Sequence, residues 1–179
     1  MTTVQTITLG GGCFWCLEAV YEQVRGVVAV ESGYCNGHVP QPSYEQVCQG
    51  DTGHVEVVRL RFDPAAVSLR ELLEIFFVIH DPTTLNRQGN DVGPQYRSGI
   101  YWHSPDQAAL ASQVLDELRQ TLGDGLVTEL LPEQNYSTAE AYHQHYFARH
   151  PGQGYCAYVV APKIRKFRET FTRLVRADG

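Results

Sequence analysis

Gly10-Gly11-Gly12-Cys13-Phe14-Trp15-Cys16 places a sulfur nucleophile between three glycines and two large aromatic side chains. Apolar residues then recur at Leu17, Val20, Tyr21 and Val24, a helical spacing, so Cys13 is expected near the first turn of a helix. Unpaired N–H groups and the helix macrodipole favour an anion there. A thiolate is an anion, so this position is expected to lower the Cys13 pKa and make the sulfur nucleophilic. The glycines should permit a tight turn and close approach of another molecule to the backbone. Phe14 and Trp15 suggest a pocket for something small and apolar. A cysteine taken alone is more often inert core packing; it is the glycine run and the helix start that point to catalysis.

A thiolate beside a carboxylic acid and two phenols suits attack on a polarised, oxygen-bearing centre. Glu56 could supply the acid: drawn into an apolar cleft, its pKa would rise and it would keep a proton to donate. Tyr44 and Tyr96 could hydrogen-bond a developing oxyanion. Asp91, in Gly89-Asn90-Asp91, either supports that site or serves as a turn residue. The Cys13-x-x-Cys16 spacing is shared by thiol–disulfide oxidoreductases and zinc sites. Zinc would need a second close pair or histidines at matching spacing, which Cys35 and Cys48 do not provide, so no metal is expected. Cys156 follows a loop containing Gly and Pro and could swing towards Cys13; its bland reading is a strand cysteine.

Alternation and capping signals place these residues on elements. Val4 to Leu9, Val27 to Tyr34, His54 to Phe62 and Ser98 to His103 read as strands. Cys13 to Arg25, closed by Gly26, reads as a helix. A second helix starts at Ser68, with Glu71 completing a capping box, and runs to Ile79. The order βαββαβ predicts a ferredoxin-like, two-layer α+β core with long loops and C-terminal helical additions. A helix from Pro105 to Leu122, a strand from Leu126 to Leu131, helical turns over Thr138 to Arg149, a strand from Ala157 to Val160 and a basic helix from Lys163 to Arg176 should follow.

Strand direction alone makes a site prediction. If the first strand runs up, the second also runs up, while the third and fourth run down. Cys13, the 35–53 loop with Tyr44, the start of the third strand with Glu56, and the 80–97 loop with Asp91 and Tyr96 then share one sheet edge. Loops this long in a compact chain are usually functional or disordered.

The length of 179 residues and 43% apolar content suit a single catalytic domain spanning 1–179, with an ordinary core. A net charge of −6 without a basic stripe argues against nucleic acid. No segment has the length of a membrane span, and Met1 to Gln5 shows no basic n-region, so the chain is expected in the cytoplasm, without a membrane partner. There, five cysteines argue for reactive or buried thiols rather than a disulfide framework. The chain is expected to act as a monomer and without a cofactor.

Gly12-Cys13-Phe14-Trp15 resembles the signature of the A-type peptide methionine sulfoxide reductases. The likeness continues through Ser32-Gly33-Tyr34, Pro42-Ser43-Tyr44-Glu45, Thr52-Gly53-His54-Val55-Glu56, Asp81-Pro82-Thr83, Gln88-Gly89-Asn90-Asp91, Gln95-Tyr96-Arg97-Ser98 and Glu140-Ala141-Tyr142-His143-Gln144. The resemblance implies that Cys13 attacks the sulfur of an S-epimer methionine sulfoxide, free or in a protein. It implies that Glu56 protonates the oxygen, Tyr44 and Tyr96 hydrogen-bond it, Phe14 and Trp15 hold the ε-methyl group, and Asp91 supports the polar side. It further implies that Cys13 becomes a sulfenic acid, condenses with a second cysteine, and is restored by thioredoxin. Some members carry a glycine-rich tail with a further cysteine; this sequence shows none after Cys156, which leaves Cys156 as first candidate for the resolving thiol, Cys16 as second, and direct attack on the sulfenic acid by glutathione or thioredoxin as the alternative. Cys35 and Cys48 are expected to be bystanders. The rival class is a thiol–disulfide oxidoreductase using Cys13 and Cys16.

Overall fold

The computed structural model describes residues 3–177. Its first half follows the alternation of the sequence: β1 (Gln5–Gly10), α1 (Phe14–Tyr21), β2 (Val27–Cys35), α2 (Tyr44–Cys48), β3 (Val55–Phe62), α3 (Leu69–Ile79) and a small hairpin of β4 (Arg87–Gln88) and β5 (Asp91–Val92). The chain continues through β6 (Gly99–Trp102), α4 (Pro105–Leu122), β7 (Glu129–Pro132), β8 (Ser137–Thr138), α5 (Tyr146–Arg149) and α6 (Ala161–Thr170). The sheet order is β7-β6-β1-β3-β2-β8. Each of its four central strands runs antiparallel to its neighbours among them, and they are those of the expected βαββαβ unit. β7 adds to one edge in parallel, making the sheet mixed.

Side-chain alternation separates the two faces. Ile7 and Leu9 of β1 and Val58, Leu60 and Phe62 of β3 join the main core with Leu17, Val20 and Tyr21 of α1 and Leu72 and Phe76 of α3. Val55 and Val57 point the other way, into a small cluster with Cys35 and Tyr101. By the same parity Glu56 lies on the helical face, where α1 begins. The registers Gly10↔Gly99 and Cys35↔Val55 bring the end of β1, the end of β2 and the starts of β3 and β6 to one edge, as strand direction predicted.

Several boundaries differ from expectation. α1 ends at Tyr21 rather than Arg25, because Val24 leaves the helix to bridge Val175 and Gly26 takes a positive φ of 92°. The 35–53 loop contains α2, started by a Ser43/Gln46 capping box. Ala157 to Val160 is not a strand: Cys156–Val160 is a π-helical turn that runs straight into α6. Its alternation with apolar neighbours imitated a strand, but its residues pack against α1 and α6. The last helix stops at Thr170, where Phe171 leaves helical geometry. No helix among the described residues is long and apolar enough to cross a membrane.

Candidate active site

Gly12 makes the tight turn that was expected, but the close approach at Gly10 and Gly12 is by the protein's own side chains. Gly12 has φ +90°, and a Cβ there would lie 2.9 Å from Gln88; one on Gly10 would lie 2.7 Å from Val55 Cγ1. The molecule's own side chains occupy the space that glycine leaves. The Gly12 N–H donates to the Tyr96 carbonyl (3.2 Å), tying the β1–α1 turn to the end of the second long loop.

Cys13 is the N-cap residue of α1, in extended backbone, and is partly exposed. Here the expected pKa is reversed. Burial first, then the negative charges of Glu56 and Cys16, push the thiol well above its ordinary range; the Trp15 N–H, which favours the thiolate, is outweighed. One of the helix-start donors is used elsewhere: the Phe14 N–H donates to Glu56 Oε1 at 3.1 Å. Glu56 is buried, and burial pushes its carboxyl up to about 8 against that hydrogen bond, with Asp91 adding to the rise. The proton is therefore held by both the acid and the thiol near neutral pH.

Around this pair the predicted polar residues converge. Burial and the Glu56 charge raise the phenols of Tyr44 and Tyr96, and Tyr96 also feels Cys13 and Asp91. Cys13, Glu56, Tyr96 and Asp91 thus act on one another, and Tyr44 joins them through Glu56 and Tyr96. Tyr44 is set by its backbone N–H, which donates to Glu140 Oε2 at 2.8 Å, while the Tyr34 hydroxyl donates to Glu140 Oε1 at 2.9 Å. Asp91 accepts the Tyr155 hydroxyl at 2.7 Å, and the same hydroxyl lies 3.7 Å from Cys16 Sγ.

The aromatic pair is also at the site. Phe14 is fully buried between Tyr34 and His143, with ring centroids 5.6 and 5.0 Å away. Trp15 is partly exposed and stacks on Tyr146 at 3.8 Å and 5°. A groove of about 1100 Å³ opens on Cys13 and runs between the 88–91 hairpin and α6. A second cavity of about 610 Å³, by Gln5 and His103 at the opposite end of β1, contains none of these residues.

Residues 5–174 match the family model described as peptide methionine sulfoxide reductase. The chain belongs to this family. A peptide methionine sulfoxide reductase MsrA of Polynucleobacter asymbioticus is 58% identical over 177 residues, 98% of this chain and 93% of that protein. One from Saccharolobus solfataricus is 51% identical over 173 residues, covering 97% and 98%. Reduced Mxr1 from Saccharomyces cerevisiae superposes with a TM-score of 0.80 at 38% identity, over 88% of this chain and 91% of that one. Mxr1 in complex with Trx2 superposes with a TM-score of 0.56 at 28% identity, over 80% and 84%.

In this methionine sulfoxide reductase the remaining thiols differ in burial and in the element that carries them. All five cysteines are free. Cys16 is buried one helical turn beyond Cys13, and its charge raises the Cys13 pKa. Cys156 is fully buried in the π-helical turn, its N–H donating to Gln153 Oε1 at 3.1 Å, and it does not line the groove. Cys35 sits in the small cluster on the far face. Cys48 is exposed on α2, near the Tyr44 hydroxyl.

Neither His143 nor Tyr155 had a role assigned from residue types and spacing. Trp15 Nε1–H, which can only donate, points to His143 Nδ1 at 3.1 Å, so the imidazole proton sits on Nε2. His143 is buried, burial lowers its pKa, and Nε2 has no hydrogen-bond partner among the described residues. Its ring lies 4.5 Å from that of Tyr44, at the back of the aromatic cup. The Glu140-Ala-Tyr-His143 run was visible as a motif; its meaning needed the contact with Trp15.

Proposed function

We propose that the chain reduces the S epimer of methionine sulfoxide, free and in proteins, to methionine, using Cys13 as nucleophile. The observation that carries this is Glu56: a buried carboxyl, protonated up to about pH 8, held by the N–H of the residue next to the nucleophile. A sulfoxide sulfur is a poor electrophile until its oxygen is protonated or strongly hydrogen-bonded. Glu56 donates the proton, and the Tyr44 and Tyr96 phenols, kept neutral by burial, donate hydrogen bonds to the same oxygen. Cys13 bonds to the substrate sulfur as its thiol proton replaces the one Glu56 has given; the substrate S–O bond and the transient S–S bond then break as the hydroxyl passes to the Cys13 sulfur, so methionine leaves and Cys13 is left as a sulfenic acid. Trp15, with buried Phe14 behind it, receives the methyl group, and Asp91 holds the polar side through Tyr155. Reading methyl and oxygen in different subsites selects one epimer.

The sulfenic acid on Cys13 then condenses with a second thiol, releasing water, and a thioredoxin dithiol reduces the disulfide. Mxr1, which shares the fold, has been captured with Trx2. Cys156 reaches Cys13 only if the π-helical turn unwinds, a locally weak helix form suited to that. Cys16 reaches it only if the first turn of α1 opens. Cys156 is the first assignment, Cys16 the second. The whole chain acts as one catalytic unit in the cytoplasm.

The test is thiol titration after one equivalent of methionine sulfoxide. The reductase loses two thiols and releases methionine, and Cys13→Ser loses none. A thiol–disulfide oxidoreductase using Cys13 and Cys16 would lose none in either protein. Retained turnover of Cys13→Ser with dithiothreitol would assign the wrong nucleophile.

A further inference from the structure

The groove that opens on Cys13 has apolar walls, including Phe77, Val159 and Pro162, and carries Lys163 and Lys166 along α6. These are the only two lysines of the chain. They lie three residues apart, on one face of the helix. Among the described residues neither forms an ion pair with a carboxylate, whereas five arginines do. Both lysines line the groove that also takes in Cys13 and His80. The carboxylates that share the groove are already engaged: Asp81 accepts the Thr83 hydroxyl and N–H, and Asp91 accepts the Tyr155 hydroxyl. In a chain of net charge −6, two uncommitted cations thus line the groove that starts at the nucleophile.

We propose that this groove holds the polypeptide flanking the oxidised methionine, and that Lys163 and Lys166 favour substrates with Asp or Glu close to it in sequence. The inference rests on the reaction proposed above, which puts the substrate sulfur at Cys13. The backbone on one side of that residue must then leave over an adjacent surface, and this groove begins at that atom. Apolar walls suit the body of an extended peptide, and an ammonium is a point charge that accepts a carboxylate from several directions. Thioredoxin is the other polypeptide of the cycle, but it acts on a disulfide formed after methionine has left. A concave channel starting at the nucleophile fits the substrate chain better.

The test uses peptides of equal length with one methionine sulfoxide flanked by glutamates, glutamines or lysines. The reductant is dithiothreitol, so thioredoxin plays no part. The expected order of kcat/KM is acidic, neutral, basic, with acidic over neutral by roughly 3- to 10-fold at low salt and much less at about 0.5 M salt. Lys163→Gln with Lys166→Gln should remove the order, and Lys163→Glu with Lys166→Glu should invert it. Turnover of the uncharged N-acetyl-methionine sulfoxide methylamide should stay unchanged in both variants. An order that ignores flanking charge, or that survives the double charge reversal, overturns the proposal while leaving the reaction intact. So does an effect confined to thioredoxin-driven cycling. No turnover of the small amide by the unaltered protein overturns the reaction, and this proposal with it.

Discussion

At the residue scale the chemistry turns on where two protons sit. Glu56 was legible only through strand direction: a carboxylate at the start of a strand is by itself a solvated residue, and it is the shared edge with Cys13 that singles it out. The state of Cys13 was not legible. A helix start argues for a thiolate, but burial opposes it, and burial is set by segments far away in sequence. Glu56 moreover takes the Phe14 N–H. The reaction rate should therefore fall as pH rises through about 8, when Glu56 gives up its proton. Glu56→Gln should lose that limb of the pH–rate profile and retain about 10⁻²–10⁻⁴ of the activity, through hydrogen bonding alone. An unchanged profile would remove Glu56 from the acid role. His143 and Tyr155 escaped sequence reasoning because their parts are defined by what they touch, Trp15 in one case and Asp91 with Cys16 in the other.

At the element scale, the β1–α1–β2–β3–α3–β6 unit could be read from alternation and capping, since strands with one buried face and helices with one apolar stripe write their period into the sequence. The second half was harder. The 156–160 segment is short and apolar on several sides, so it carries no decisive period, and its helical state comes from continuity with α6. The α1–α3 contact offers a direct check of the helical layer. The buried Tyr21 hydroxyl donates to the Leu72 carbonyl at 2.8 Å. Tyr21→Phe should cost about 1 kcal/mol in denaturant unfolding, by removing that one hydrogen bond while the carbonyl keeps its partner within α3, with little effect on kcat. Gly12→Ala should cost more and should also reduce activity, because it forces positive φ on a Cβ and pushes it into Gln88.

For the whole molecule, strand direction was enough to gather the site at one edge, while the π-helical turn that buries Cys156 had no counterpart in the sequence reading. Two buried groups also set how stability varies with pH. His80, lowered from 6.5 to about 4 by burial, stays neutral in the fold, so its contribution is present above 6.5 and lost as pH falls towards 4. Glu56, raised from 4.5 to about 8, acts oppositely: its contribution is full below 4.5 and lost as pH rises towards 8. Between 4.5 and 6.5 the two oppose one another, with His54, His103 and His143, also lowered by burial, adding to the His80 side. From 6.5 to 8 the Glu56 contribution is being lost, so the unfolding free energy should drop across that interval, by up to about 1.4 kcal/mol per pH unit. Glu56→Gln should flatten the drop. Peptide mapping of the oxidised protein by mass spectrometry should find Cys13 joined to Cys156; a Cys13–Cys16 link would reassign the second thiol.

Trp15 stacks on Tyr146 and donates to His143, and the only other tryptophan, Trp102, lies away from the cup on β6. Any movement that brings a second sulfur to Cys13 must disturb this indole. The emission spectrum of the protein should therefore shift between its reduced and oxidised forms and keep step with turnover. A Trp102→Phe variant, left with one fluorophore, would then report each redox cycle in real time without an added dye.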